Sequence, residues 1–453
     1  MNEGCGRRGT TPLPGLSDRE LSGLLAPVTP TDDSASASGQ SGDVALERFA
    51  RAALTTAVEP GDLDAGRLVE SLGAVGLVRA IVDGYDGDRV LELAGRDSET
   101  AEQDIADSPD GVGANEQSDR GAAESRISQC LARWRPRLSL SESARAMERA
   151  ARLGAQLLAP GDRFWPEGMS SLEEGAPLAL WIRGDAERLG RLHRSIALVG
   201  ARASSQYGEH VAMESAAGLA DRGFAVVSGG AYGIDAAAHR ATLLSGGLTV
   251  AFLAGGVDRL YPAGNSELLR RIAAEGVLAA ELPPGSTPTR WRFLMRNRLI
   301  AAAANATIVV EAGRRSGSLN TAGHASQLGR PLGAVPGSIL SPASAGCHRL
   351  IREYAATCVT TTEEMAELAD PLGIGPDPGP PDLQPAASSG VPSDAERSVV
   401  TALSRAHGAS ADEIAARVQL PFAIVAAVLG RLDLAGRARE RAGGWVLSEG
   451  SRA

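Results

Sequence analysis

The chain contains no lysine: every one of its 45 basic residues is arginine. That absence excludes P-loop nucleotide chemistry, which needs a phosphate-reaching lysine, and Schiff-base chemistry, which needs a reactive amine. Cysteine is scarce as well. The four present (Cys5, Cys130, Cys347, Cys358) form no CxxC pair. Neither a structural zinc nor a disulfide framework is expected, and the thiols suit a reducing, cytoplasmic setting. No apolar run reaches the ~18 residues of a membrane span, and the polar N-terminus lacks a signal-peptide core. Ser-His-Asp logic, a usefully spaced carboxylate pair and an HExxH helix are also missing. No cofactor, metal or catalytic residue is therefore expected. Glu311, closing TIVVEAG, is the only acid placed like a catalytic one, and pairing with a rim arginine is its simpler role.

Across 453 residues the formal net charge is −10, a sign that argues against nucleic acid while the charge is unplaced. Residues 97–124 carry nine acids against one arginine, and residues 1–50 seven acids against four arginines, which leaves +1 for the rest. The acidity thus sits in segments with little to bury. By contrast, Thr287 to Arg330 holds seven arginines and one acid, with Trp291 and Phe293 interleaved.

Composition divides the chain. Residues 1–43, rich in Ser, Gly, Pro and Asp, read as a disordered tail. Helical periodicity occupies 44–150, an N-terminal helical domain of the SAM or helix-hairpin-helix kind, broken at Glu59-Pro60-Gly61-Asp62 and by a solvated acidic insert at 97–124. Helix signals resume from Ile127 to Leu158. From 151 to 368 short apolar runs (IALVG, FAVVSGG, TVAFLAGG, VLAAELP, TIVVEAG, LGAVPG) alternate with Ala-rich helical stretches. That pattern predicts an α/β, Rossmann-like, doubly wound parallel sheet whose ligand site lies at the strands' carboxyl ends. A Pro/Gly/Ser linker spans 369–392. Residues 393–449 read as three helices and a two-stranded wing turned at Gly443-Gly444, a winged helix-turn-helix.

Three loops carry chemistry. GARASSQYG (Gly200 to Gly208) lacks the GxGxxG spacing of a dinucleotide fingerprint. It offers backbone N–H groups, the hydroxyls of Ser204 and Ser205, and Arg202, a set suited to phosphate oxygens. SGGAYGID places Gly229, Gly230 and Gly233 before a helix, so the backbone can approach a ligand closely. There Asp235 could cap the helix, accept from a ribose or base, or orient Arg202. The third segment runs from Arg290, Arg292, Phe293, Arg296, Asn297 and Arg298 to SGSLNT. Guanidinium beside aromatic rings is what a single strand requires, because one holds phosphate and the other stacks on a base. Ser316, Gly317, Ser318 and Thr321 add donors at another helix start. His239 reads as a packed, hydrogen-bonded histidine.

Taken in order, VGAR-SS-YG, SGGAYGID-AAH, LAGGVDRLYP, RNRLIAAAA, VVEAGRRSGSLNTAGHA and AVPG resemble the DNA-processing protein A family, DprA or Smf. The likeness covers about Gln156 to Ala356. Two departures are local: His348 stands where the family usually has Asn, and Ala280-Glu281 where it has Ser-Glu. The resemblance implies a dimeric protein that binds single-stranded DNA taken up in natural transformation, protects it and helps load RecA. It implies Arg202 as the phosphate-binding arginine, Arg290 as the basic rim residue, Phe293 as the stacking aromatic, and Arg296, Asn297 and Arg298 as the RNR segment. The competing class is a nucleotide phosphoribohydrolase similar to the Lonely Guy enzymes. Their PGGxGTxxE motif is not found here.

Overall fold

The computed structural model describes residues 17–30, 42–98, 115–370, 394–403, 408–418, 437–441 and 444–447, with isolated positions between 425 and 432. It comprises two compact units, divided at Pro376/Asp377.

Within the stretch expected as a disordered tail, α1 (Asp18–Leu25) forms. Ser17 accepts from the Glu20 amide while Glu20 accepts from the Ser17 amide, a complete capping box. Leu21, Leu25 and Val28 are buried, and the Val28 carbonyl accepts from Leu157. The expectation is corrected there: a local cap and an i, i+4 leucine pair outweigh the surrounding composition. Next come α2 (Gly42–Ala57) and α3 (Leu63–Val82), separated by the Glu-Pro-Gly-Asp break, with Asp62 capping α3. The latter helix is not continuous. It kinks at Gly73 (φ 71°), and Glu47 accepts from the freed amides of Ala74 and Val75.

The acidic insert also proves shorter than expected, because α4 (Gly87–Ser98) and α5 (Asn115–Trp134) enter both its flanks. Cys130, Leu131 and Trp134 anchor α5. The rest of the insert, 99–114, lies outside the described residues. After α6 (Leu140–Arg152) the chain leaves the helix through Gly154, so the helical signal expected up to Leu158 ends early and β1 (Ala155–Leu158) replaces its last turn.

The remaining strands are β2 (Leu180–Gly184), β3 (Ser195–Gly200), β4 (Ala225–Ser228), β5 (Thr249–Leu253), β6 (Val277–Ala280), β7 (Ala306–Glu311), β8 (Leu332–Ala334) and β9 (Thr357–Cys358). Together with β1 they form a nine-stranded sheet ordered β1-β2-β6-β5-β4-β3-β7-β8-β9. From β6 to β9 every pairing is parallel, while β1 and β2 add an antiparallel edge. Alternate residues feed opposite cores. The helices of this region are α7 (Gln206–Asp221), α8 (Ile234–Leu244), α9 (Ser266–Glu275), α10 (Arg290–Ala303), α11 (Ser318–Gln327), α12 (Ala345–Glu353) and α13 (Thr362–Ala369). Ile196 and Leu198 face α7, α8 and α13. Ala197 and Val199 face α10, α11 and α12. Helices on both faces make the sheet doubly wound, as expected.

The helical layer belongs to the same unit. Arg48, 6% exposed, donates to the Leu157 carbonyl and forms a bidentate pair with Asp162. In the second unit α14 (Asp394–Ala402) and α15 (Ala411–Val418) precede an antiparallel ribbon of β10 (Ala438–Arg441) and β11 (Gly444–Leu447). The helix expected after Pro421 falls largely outside the described residues, as does the linker from 371 to 392. Buried Val425, Val428, Leu429 and Leu432 keep helical spacing.

Candidate nucleic-acid interface

The winding of the sheet reverses between β3 and β7, and a ligand crevice forms beyond the carboxyl ends of such strands. The loops after β3, β4 and β7 meet there. Glu311, 3% exposed at the end of β7, accepts from the Ser205 amide at 2.8 Å and its hydroxyl at 2.7 Å. Ser205 in turn accepts from the Gly208 amide and caps α7. Both carboxylate oxygens are therefore occupied in fixing the loop that carries Arg202. Its partner is a loop serine, where a rim arginine was expected.

A second anchor lies beneath the glycine turn. Asp235 accepts from the amides of Gly229 (3.2 Å) and Ala231 (3.3 Å), so it folds its own loop. Arg296 donates to the Gly229 carbonyl at 2.7 Å and to that of Phe252. A Cβ on Gly229 would lie 2.5 Å from the Arg296 guanidinium, so only glycine permits this approach. Burial pushes the Asp235 carboxyl up, opposed by Arg296, and pushes Arg296 down to about 10. A charged guanidinium on two carbonyls stitches the ends of β4 and β5 together.

The arginine run therefore divides. Thr289 caps α10 through the Arg292 amide, so Arg290 to Phe293 form its first turn. Arg290 and Trp291 are exposed, and Phe293 is half-buried. The second half of the helix is buried on every side. Arg298 is 4% exposed and donates to both Glu281 oxygens at 2.7 and 2.6 Å. Asn297 donates to Asn320 and to the Gly317 carbonyl. Arg296, Asn297 and Arg298, expected to contact the strand, are thus corrected to internal scaffold, and Asp235, whose role the sequence left open, folds its own loop from a buried position. The physical reason is the all-round burial of residues 296–303 between the sheet and α11. Ser318 and Thr321 are buried too. Ser316 is half-buried and bonded to Ser318, and Gly317 is exposed at the start of α11.

What faces solvent is a compact set. The Arg202 guanidinium lies 5.0 Å from the Phe293 ring centroid, and Tyr261 meets the same ring at 5.6 Å, tilted by 53°. Arg202, Arg290, Arg314 and Arg315 are exposed with no ion pair among the described residues. Gly200 and Gly233 line the floor, Gly230 is buried beneath it, and Ser204 is tied to Glu209. Sequence reasoning passed over Tyr261 and Tyr232, which are 52% and 47% exposed. Single tyrosines in loops carry no periodic signal. Their place in LAGGVDRLYP and SGGAYGID, at two strand ends, was the available clue.

His239, by contrast, is structural. Thr249 donates its one hydroxyl hydrogen to the Val226 carbonyl, so it must accept from His239 Nδ1–H. Nε2 is left buried and unpartnered among the described residues, and burial pushes this histidine down to about 3. Among the described residues no group of three His, Cys, Asp or Glu could hold a metal, and no helix is long and apolar enough to cross a membrane.

Comparison with known proteins agrees with this architecture. A family described as DNA recombination-mediator protein A matches residues 156–370, and the DprA winged helix domain matches 380–444. A putative DNA processing protein DprA of Mycobacterium tuberculosis (strain CDC 1551 / Oshkosh) is 48% identical over 321 residues, 68% of this chain and 81% of that one. The DNA processing protein DprA of Bacillus subtilis (strain 168) is 36% identical over 194 residues, 43% of this chain and 65% of the relative. The solved structure of DNA processing protein A from Streptococcus pneumoniae has a TM-score of 0.50 at 28% identity, covering 69% of this chain and 99% of that one. The motifs, the doubly wound sheet and these relatives together place the chain in the DprA/Smf family of DNA-processing proteins.

Proposed function

We propose that this chain binds single-stranded DNA across the carboxyl edge of its sheet, protects incoming strands during transformation and helps load RecA recombinase onto them, acting as a homodimer. The observation that carries the reading is the Arg202–Phe293–Tyr261 cluster, a guanidinium in no ion pair among the described residues, set against two tilted aromatic rings. Phosphate neutralisation beside a sequence-tolerant stacking face is the chemistry of single-strand binding. The family description, a recombination mediator, supports the same direction. The Glu311 carboxylate speaks against the hydrolase alternative, since Ser205 occupies both its oxygens. The test is RecA filament formation on DNA coated with single-strand binding protein. Adding this chain should shorten the lag, and Arg202→Ala should abolish the effect. An unchanged lag with the wild-type chain contradicts the recombinase-loading role.

A further inference from the structure

The first turn of α10 presents Arg290, Trp291 and Phe293, yet it holds no acid and two arginines. Cations at a helix N-terminus oppose the helix dipole. The compensating charge comes from elsewhere in the fold. Arg292, 19% exposed, turns away from the strand surface, and its Nε and Nη2 each donate to Glu59 at 3.0 Å. Its remaining nitrogen, Nη1, donates to the Thr287 carbonyl at 2.9 Å. Glu59 opens the break between α2 and α3, and Arg137, at 3.3 Å, holds the same carboxylate. Hydrogen bonding to Arg292 keeps the Glu59 carboxyl below its usual range, so it is ionised at neutral pH. The same corner wedges against the next turn of α10: Gly61 has φ +72°, and a Cβ there would lie 2.5 Å from Met295 Cε and 2.8 Å from Arg298 Nε.

We propose that Glu59 is a positioning residue for single-strand binding: by gripping Arg292, the N-terminal helical layer sets the pose of the α10 turn that bears Arg290, Trp291 and Phe293. The inference rests on the function proposed above. It makes a counter-intuitive claim, because removing an acid near bound DNA ordinarily tightens binding, and here it loosens it.

The test is fluorescence anisotropy of a labelled oligo(dT) with the full chain and four proteins: wild type, Glu59→Gln, Arg292→Glu, and the Glu59→Arg/Arg292→Glu swap. Each single variant should raise Kd at least about fivefold, and the swap should return it to within about twofold of wild type. Arg137 is half-exposed and can swing into solvent in the swap. The swap decides the matter even if Glu59→Gln lowers the melting temperature. The swap restores the net charge along with the pair, so its recovery is read together with the loosening by Glu59→Gln, which removes an acid and by charge alone would tighten binding. Unchanged or tighter binding by Glu59→Gln, or a swap that fails to recover, overturns the proposal. Failure of the wild-type chain to bind oligo(dT) overturns the function on which it rests.

Discussion

Within α10, Arg290 and Arg298 stand eight residues apart and do opposite work. The first is exposed with no ion pair among the described residues, and the second is buried on Glu281. Sequence spacing could not separate them, because arginines recur every two to four residues through RWRFLMRNR, from Arg290 to Arg298. Removing one member of a buried pair leaves the other charge stranded, and Arg298→Ala should cost about 3 kcal/mol of unfolding free energy. This is the low end of the usual range, since Arg298 Nε and Nη1 already lack partners among the described residues. Urea titration checks the figure, and wild-type stability would refute the scaffold role. His239 gives a pH prediction. Its folded-state value is about 3 against 6.5 when unfolded, so the unfolded chain takes up the extra proton between those limits. Stability from this group is complete above 6.5 and is lost as pH falls towards 3. His239→Asn preserves a donor to Thr249 and removes the titration, so its melting temperature should decline less as pH falls from neutral to mildly acidic. Parallel pH profiles would contradict that assignment.

At the scale of elements, the six apolar runs from IALVG to LGAVPG became β3 to β8, because continuous hydrophobicity is what a strand covered on both faces requires. Strands β1 and β2 were not legible. AQLL follows a helical pattern without a break in hydropathy, and only Gly154 signals the change of backbone. The kink of α3 depends on Glu47, far before Gly73 in the chain, so no local pattern could reveal it. Helix α1 was hidden by composition, although S-x-x-E ahead of two spaced leucines is a legible start signal. If those leucines are core, Leu21→Ala and Leu25→Ala should each cost about 2–5 kcal/mol, seen as lowered urea midpoints. Values within experimental error of wild type would instead mark α1 as loosely attached.

Over the whole molecule, net charge misdirects until it is placed. Nine acids fall in the segment 97–124, while Arg202, Arg290, Arg314 and Arg315 are exposed beyond the carboxyl edge of the sheet. The absence of lysine makes that edge a surface of planar guanidiniums, each able to grip phosphate through two N–H groups and to lie over a ring, as Arg202 does over Phe293. Exposure was legible where a loop carries the residue and illegible where tertiary packing turned the same residue types inward. The account is tested most directly by titrating labelled oligo(dT) with the full chain over a range of salt concentrations. It predicts log K falling linearly with log salt, and Arg202→Ala binding about tenfold more weakly with the slope reduced by ~0.7, the share of one phosphate contact. Salt-independent binding, or an Arg202→Ala protein indistinguishable from wild type, would contradict it.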